Sequence, residues 1–201
     1  MSGIRIIPYL VSVILSSVIA GAAIAAIGVY KPFMILGGAV FTIGSGMLYT
    51  LQGNSVAGRW IGYQILSGFG AGAGVQIPYI AVQVVLSLKD MPTGNALAIF
   101  FNSLGGAISI SVAQNIFSNG LTTNVPKYAP QVSVYDVIHA GATRLREVIG
   151  AGSLPGVLLA YMVALQQTFV IPIVVGGIAT VCACCIEWES VKEKKVLPST
   201  V

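Results

Sequence analysis

Residues 6–28 read IIPYLVSVILSSVIAGAAIAAIG, a run of 23 residues without a single Asp, Glu, Lys or Arg. An α-helix needs roughly 20 apolar residues to cross about 30 Å of hydrocarbon, so this run predicts a membrane-spanning helix. The apolar core of a secretory signal peptide is shorter, about 7–15 residues. We therefore expect the first span of an integral membrane protein and not a cleaved signal.

The absence of charge recurs along the chain, in residues 6–30, 32–58, 60–88, 91–126 and 148–186. Only 8% of the 201 residues are charged and 56% are hydrophobic, whereas a soluble domain carries roughly 25% charged residues. This composition excludes a water-soluble globule and a disordered chain. It predicts an all-α integral membrane protein with about five spans, over residues 6–28, 33–51, 62–88, 96–118 and 164–186.

The segment between the fourth and fifth spans, residues 119–152, is polar and carries the single histidine, His139. Apolar residues recur there at roughly helical spacing, which predicts a short amphipathic helix at the membrane surface; they are Val134, Val137, Ile138, Leu145, Val148 and Ile149. Because His139 has only Asp136 and Arg144 near it in sequence, we expect it to be a surface residue. Pro172 is expected to kink the fifth span.

The formal net charge of +4 does not indicate a nucleic-acid partner, because the basic residues are scattered singly between apolar runs. Residues 187–195 form a charge run of mixed sign, which is typical of a solvated tail. Lys and Arg are divided equally between the two sides of the predicted membrane, five on each. The excess of basic residues that marks the cytoplasmic side therefore gives no orientation.

Three cysteines, Cys182, Cys184 and Cys185, lie within four residues near the end of the fifth span. Their spacing suits neither a disulfide framework nor a zinc site. We expect small packing residues, with reversible palmitoylation at a membrane edge as the alternative. The spans offer no paired carboxylates, no metal cluster and no nucleophile with a base, so we expect neither an enzyme nor a cofactor.

The third span carries four alternating glycines, Gly68, Gly70, Gly72 and Gly74, followed by Pro78. They do not match the dinucleotide pattern G-x-G-x-x-G, and no βαβ unit surrounds them. They form two overlapping G-x-x-x-G pairs, which predict close helix packing in lipid. Pro78 leaves the carbonyl of Gly74 without its helical partner, so this helix should be bendable and should face protein or a wet cavity.

Two glutamines, Gln76 and Gln83, lie seven residues apart and hence on one face of the third span. They are expected either to line a pathway or simply to bond to a neighbouring helix. The fourth span repeats the pattern, and its polar, small and aromatic candidates for a cavity wall or a helix contact are Phe101, Asn102, Gly105, Gly106 and Gln114.

These residues resemble the last part of fungal efflux proteins of the major facilitator superfamily, in the fourteen-helix drug:proton antiporter group. The resemblance rests on Gly68-Phe69-Gly70-x-Gly72-x-Gly74-x-Gln76-x-Pro78-x-x-Ala81-Val82-Gln83, Phe100-Phe101-x-x-Leu104-Gly105-Gly106-Ala107 and Ser111-Val112-Ala113-Gln114-Asn115. Gly21, Gly28 and Lys31 also fit the frame of the superfamily's short-loop motif, although Ala25, Ala26 and Tyr30 replace its charged residues.

The resemblance implies that the chain forms the last five helices of a partial C-terminal half. It places the Gly28–Lys31 turn and the tail, residues 187–201, in the cytoplasm and residues 119–152 outside the cell. Gln76, Gln83, Phe101, Asn102 and Gln114 would be candidates to line the substrate cavity. Asn102 and Met162 depart from residues that the family often has there, so substrate preference is not carried over.

The function implied is proton-coupled efflux of small amphipathic organic compounds across the plasma membrane. Its partners would be the lipid bilayer, the substrate, protons and the N-terminal helices absent from this sequence. The alternative is a membrane scaffold without transport activity, or a truncated gene product. The spans contain none of the ionisable acids that proton-coupled carriers use as relays, so such groups are expected elsewhere in the parent protein.

Overall fold

The computed structural model describes residues 3–52, 56–150 and 152–186. Over these residues the chain forms helices and no strand. A short 3₁₀ turn, Gly3–Ile6, leads into the first of seven helices. The helices are α1 (Ile7–Ile27), α2 (Lys31–Tyr49), α3 (Ala57–Val85), α4 (Met91–Tyr128), α5 (Val134–Val148), α6 (Leu154–Thr168) and α7 (Val170–Cys185).

Five helical segments are long and apolar enough to cross a membrane: α1, α2, α3, α4 and the pair α6 and α7 taken together. The predicted all-α membrane architecture with five spans is confirmed. Charged residues of these spans lie at or near helix ends, as with Lys31 at the start of α2 and Lys127 at the end of α4. The predicted cytoplasmic tail, residues 187–201, lies outside the described residues.

Helix α4 is longer than the span that hydropathy predicts, since it continues ten residues beyond residue 118 to Tyr128. Its 38 residues correspond to about 57 Å of helix, well beyond the thickness of a bilayer core. Polar side chains in the extension bond back to the preceding turn, as Asn124 Nδ2 donates to the carbonyl of Gly120 at 2.7 Å. The fall in hydropathy therefore does not mark the end of this helix.

The last span is broken at Phe169, which separates α6 from α7. Pro172 explains the break, because it has no N–H to give to the carbonyl of Thr168, four residues earlier. The span begins at Leu154, with Ser153 in the cap position and Pro155 in the first turn, but the Ser153 side chain makes no capping hydrogen bond.

The amphipathic helix predicted between the fourth and fifth spans is present as α5, and part of its apolar face packs on protein. Val137 and Leu145 are only 0% and 2% exposed, within a cluster that contains residues of α4 and α6. The helix bends at Gly141, whose φ of 60° and ψ of 172° are not helical. His139 is exposed, as expected for a surface residue.

The helices form two packing units with separate cores. In the first unit, α1 and α2 pack on α3 and α7 packs on α2; its core is built around Ile24, Tyr30 and Ile77. In the second unit, the last part of α4 packs against α5 and α6 around Leu121, Val125 and Val157. The backbone joins the two units at residues 86–90 and at Phe169, and Gln166 Nε2 donates to the Leu51 carbonyl across them at 2.7 Å.

Candidate functional site

Helix α3 carries most of the predicted site residues, and its glycines decide how it sits between its neighbours. Gly68 and Gly72 face α1, where a methyl group at Gly68 would lie 2.7 Å from the Tyr9 carbonyl oxygen and one at Gly72 would overlap that of Val13. Ser12 Oγ donates to the Ile65 carbonyl at 2.6 Å across this contact. Backbone approach of this kind is what a G-x-x-x-G pair permits in lipid.

The other two glycines of the motif have different surroundings. Gly70 faces α2, where a methyl group would overlap the backbone nitrogen of Phe41. Gly74 has no atom of another residue within 4 Å of where a side chain would begin. The close contact with α2 continues at Gly44, where a methyl group would lie 2.6 Å from the Cα of Ser67. The alternating glycines thus bring α3 close to two helices at once, while the side-chain position of Gly74 faces neither of them.

Between the surfaces of α3 that contact α1 and α2 runs an exposed strip formed by Phe69, Gln76 and Gln83. These residues recur at intervals of seven, which keeps them on one face two turns apart. Helix α3 continues through Pro78, which has no N–H for the carbonyl of Gly74. Two amide side chains and one aromatic ring therefore share a face that no described helix covers.

The remaining predicted residues lie on the largely exposed part of α4, residues 99–115, which we call the free stretch. Every residue from Phe100 to Ile108 is exposed. The rings of Phe100 and Phe101 pack edge to face, 5.5 Å apart. Gly105 and Gly106 have open space beside them, and both Asn102 and Gln114 are exposed.

The structure does not close the free stretch of α4 onto the strip of α3. The two helices meet near the turn that joins them, where a methyl group at Gly94 would lie 2.7 Å from the Val82 side chain. Beyond that point the described helices leave both surfaces open. The candidate cavity residues are therefore present on two separate walls and are not assembled into one pocket.

The short-loop residues form the connection between α1 and α2. Gly28 ends α1 in a left-handed conformation, with φ 87°, and its N–H donates to the Ile24 carbonyl at 2.8 Å. Lys31 begins α2 together with Pro32. Gly21 has open space beside it. A positive φ requires glycine at position 28, because an L side chain is strained there.

The sequence did not predict a cleft at the end of the first unit opposite the connection between α1 and α2. It has a volume of about 460 Å³ and is lined by Arg5, Gln52, Trp60, Met162 and Gln166 among others. A second cleft of about 300 Å³ lies next to it and shares Leu48 and Phe169 with it. The Oγ of Ser45 and the Oε1 of Gln64, which line this second cleft, have no hydrogen-bond partner.

Only the polarity of Ser45 and Gln64 within apolar runs could have pointed to these clefts. Their walls come from α1, α2, α3, α6 and α7. No local sequence pattern shows that residues so far apart in the chain line one cleft.

The ionisable groups that the structure describes do not form a reactive cluster. Arg144 Nε lies 3.7 Å from Glu147 Oε2, and both side chains are more than 70% exposed. His139 packs on the exposed ring of Tyr135, with 4.1 Å between the ring centroids and a tilt of 44° between the ring planes. Within the described ranges no three His, Cys, Asp or Glu residues come together as metal ligands would. The strip of α3 and the free stretch of α4 offer hydrogen bonding by amides and contact with apolar or aromatic surfaces.

Comparison with known proteins finds relatives over nearly the whole chain. It is 41% identical to the efflux pump roqT of Penicillium rubens over 194 residues, which is 96% of this chain and 36% of that protein. It is 40% identical to the MFS-type transporter astH of Aspergillus oryzae, covering 97% of this chain and 35% of the relative. The MFS-type efflux pump MFS1 of Arthroderma benhamiae is 38% identical, with 98% of this chain and 37% of the relative covered.

No family model and no solved structure matches the chain. It spans about a third of the length of the relatives it matches, 36% for the Penicillium protein. These relatives are named as transporters or efflux pumps, and the structure supplies five helices able to cross a membrane. The chain therefore belongs to the fungal MFS-type transporters, integral membrane proteins of the major facilitator superfamily.

Proposed function

We propose that the chain is part of the C-terminal transmembrane half of a proton-coupled exporter of small amphipathic organic compounds in the plasma membrane. The observation that carries this proposal is similarity of about 40% identity, along 96% of the chain, to fungal proteins named efflux pumps. The five charge-poor helices provide the membrane-spanning scaffold that export requires.

The exposed strip of α3 supports a solute-binding role. Gln76 and Gln83 each offer an amide that both donates and accepts hydrogen bonds, so they suit uncharged polar groups of varied chemistry. Phe69, on the same strip, is 42% exposed and offers an aromatic surface to the apolar part of a solute. A polar group left unpaired in hydrocarbon is costly, which favours a role for these amides.

The free stretch of α4 supports a second part of the proposal, that further helices of the parent transporter are partners of this chain. Gly105 and Gly106 have open space beside them, so a partner helix could approach their backbone closely. Phe101 is 64% exposed. In the assembled protein Phe101, Asn102 and Gln114 would be covered by such helices or would face the solute.

Proton coupling is assigned to the parent protein outside this chain. The charge-free stretches of the sequence contain no Asp, Glu, Lys or Arg, and proton relays in carriers are built from ionisable groups inside the membrane. We propose that these groups lie in the part of the relatives, about two thirds of their length, that the chain does not match.

A chimera tests the proposal directly. In the Penicillium pump, the matched part is replaced by residues of this chain, and both proteins are expressed in yeast that lacks its own drug pumps. We expect the chimera to lower the retention of amphipathic fluorescent dyes that the unaltered pump exports, and a protonophore to abolish this effect.

Two variants of the chimera test the strip. Replacing Gln76 or Gln83 by Leu should slow dye export by about 2- to 10-fold, as expected from the loss of one hydrogen bond worth about 0.5–1.5 kcal/mol. The matched control is Gln131→Leu, since Gln131 is also exposed but lies between α4 and α5. A chimera that reaches the membrane and exports none of these dyes would instead favour a scaffold without transport activity.

A further inference from the structure

The three cysteines at the end of α7 are the feature that transport does not explain. Cys182, Cys184 and Cys185 are the only cysteines of the chain, and all three are free and exposed. They do not pack between the described helices, so the expectation that they are small packing residues is not met.

The packing of α7 on α2 explains their exposure. Helix α7 turns Gly176, Thr180 and Ala183 toward α2: Ala183 is 1% exposed, and a methyl group at Gly38 of α2 would lie 2.6 Å from the hydroxyl of Thr180. Successive residues of a helix are about 100° apart, so the residues on either side of Ala183 point away from this contact. None of the described helices lies between these thiols and the surrounding lipid.

The thiols also lie at the right depth to meet the membrane surface. Cys185 is the last residue of α7, and Cys182 lies only about 4.5 Å further along the axis. The first charged residue after them is Glu187. Ile186 packs against the buried cluster that contains Tyr30, at the end of the first unit where Lys31 begins α2. The cysteines therefore occupy the boundary between hydrocarbon and head groups.

We propose that this cluster, Cys182, Cys184 and Cys185, is a site of reversible S-acylation by a long-chain fatty acid. Thiols beside a membrane surface are the usual acceptors of such groups, and an acyl chain attached here would enter the lipid next to α7. The cysteine sulfur attacks the thioester carbonyl of a long-chain acyl-coenzyme A, with a membrane acyltransferase as catalyst. A new carbon–sulfur bond forms on the cysteine, the bond to coenzyme A breaks, and the thiol proton leaves with coenzyme A.

The proposal places this end of the helices in the cytoplasm, where acyl-coenzyme A is available. Lys31 and Lys89 lie at this end, and the sequence after α7 adds Lys192, Lys194 and Lys195. Basic residues beside a span are attracted to the anionic cytoplasmic leaflet. An acyl chain and these lysines would hold the same end of the protein at the same surface.

An acyl-exchange assay on the full chain, expressed in yeast membranes, tests the site. Free thiols are blocked with N-ethylmaleimide, thioesters are cleaved with neutral hydroxylamine, and the released thiols are coupled to maleimide-polyethylene glycol. We expect a hydroxylamine-dependent shift of one to three polymer steps, since the chain has three cysteines, and no shift in the triple variant C182S/C184S/C185S. Val181→Ser, on the same turn and 65% exposed, should keep the shift.

Incorporation of alkyne-tagged palmitate, lost in the triple variant, is the second expected result. Membrane-inserted protein whose cysteines are all blocked by N-ethylmaleimide, with no hydroxylamine-dependent shift, would overturn the proposal. The chimera with the Penicillium pump gives a second host for the assay if the chain alone is degraded. In the chimera, the quantity to compare is the number of polymer steps before and after the triple serine substitution. A difference of zero would likewise overturn the proposal.

Discussion

The contact between α1 and α3 predicts that alanine substitution at two glycines of the same motif, Gly72 and Gly74, has unequal effects on stability. A methyl group at Gly72 would overlap the carbonyl oxygen of Val13 and lie 3.0 Å from Ser16 Cβ, whereas a methyl group at Gly74 meets nothing within 4 Å. Gly72→Ala therefore forces α1 away from α3 by about 1 Å, which forfeits up to about half of the dispersion attraction across the contact. Gly74→Ala forces no movement.

The hydrogen bonds across this contact add to the cost. Ser12 Oγ donates to the Ile65 carbonyl and Ser16 Oγ to the Phe69 carbonyl, and a separation larger by about 1 Å would break both. Overpacking costs about 1–3 kcal/mol, interhelical bonds in membranes are worth about 0.6 kcal/mol each, and Ala in place of a helical Gly returns about 0.5–1 kcal/mol. We expect Gly72→Ala to lower the free energy of unfolding by about 2 kcal/mol.

The measurement is unfolding by SDS in mixed micelles, followed by tryptophan fluorescence. At a fixed SDS fraction, a loss of about 2 kcal/mol lowers the ratio of folded to unfolded protein by about 30-fold. Gly74→Ala is the matched control and should leave the ratio unchanged or raise it. Equal losses in the two variants, or no loss at Gly72, would refute the assignment of these glycines to different surfaces.

Three further predictions follow from single positions. Pro172→Ala restores the N–H that the Thr168 carbonyl lacks and should straighten the break at Phe169. A longer distance between spin labels at Leu154 and Cys185 would show this straightening. An unchanged distance would argue against Pro172 as the cause of the break. Gly28→Ala, at φ 87°, should cost about 1–2 kcal/mol in SDS unfolding, whereas Gly21→Ala should cost nothing. Leu145→Ala, 2% exposed in the second core, should cost about 2–5 kcal/mol and speed proteolysis after α5; the exposed Ile138 should tolerate the same change.

The charge-free runs predict the number of spans correctly because hydrocarbon excludes charge at every position along a crossing helix. They do not predict where helices end. Helix α4 continues to Tyr128 because Leu121 and Val125 are buried against residues of α5 and α6, and hydropathy does not report such tertiary contacts.

The glycine motif shows the same limit for packing. Its two overlapping G-x-x-x-G pairs are equivalent in sequence, yet the side-chain positions of Gly68 and Gly72 face α1, that of Gly70 faces α2 and that of Gly74 faces open space. Spacing identifies a face of a helix, but the partner on that face depends on how distant segments are arranged. For the same reason the sequence places Gln76 and Gln83 on one face of the helix but does not identify the residues around them. It does not predict the cleft at Arg5 and Gln166 either.

The division into two packing units determines how the molecule can deform. Backbone joins them at residues 86–90 and at Phe169, so their simplest relative motion is a rotation about the line through these two joints. Such a rotation leaves both cores intact, because each core lies within its own unit. The hydrogen bond from Gln166 to the Leu51 carbonyl opposes this rotation. Force applied to the free stretch of α4 would therefore swing that helix toward or away from the glutamines of α3 with little work done inside either core.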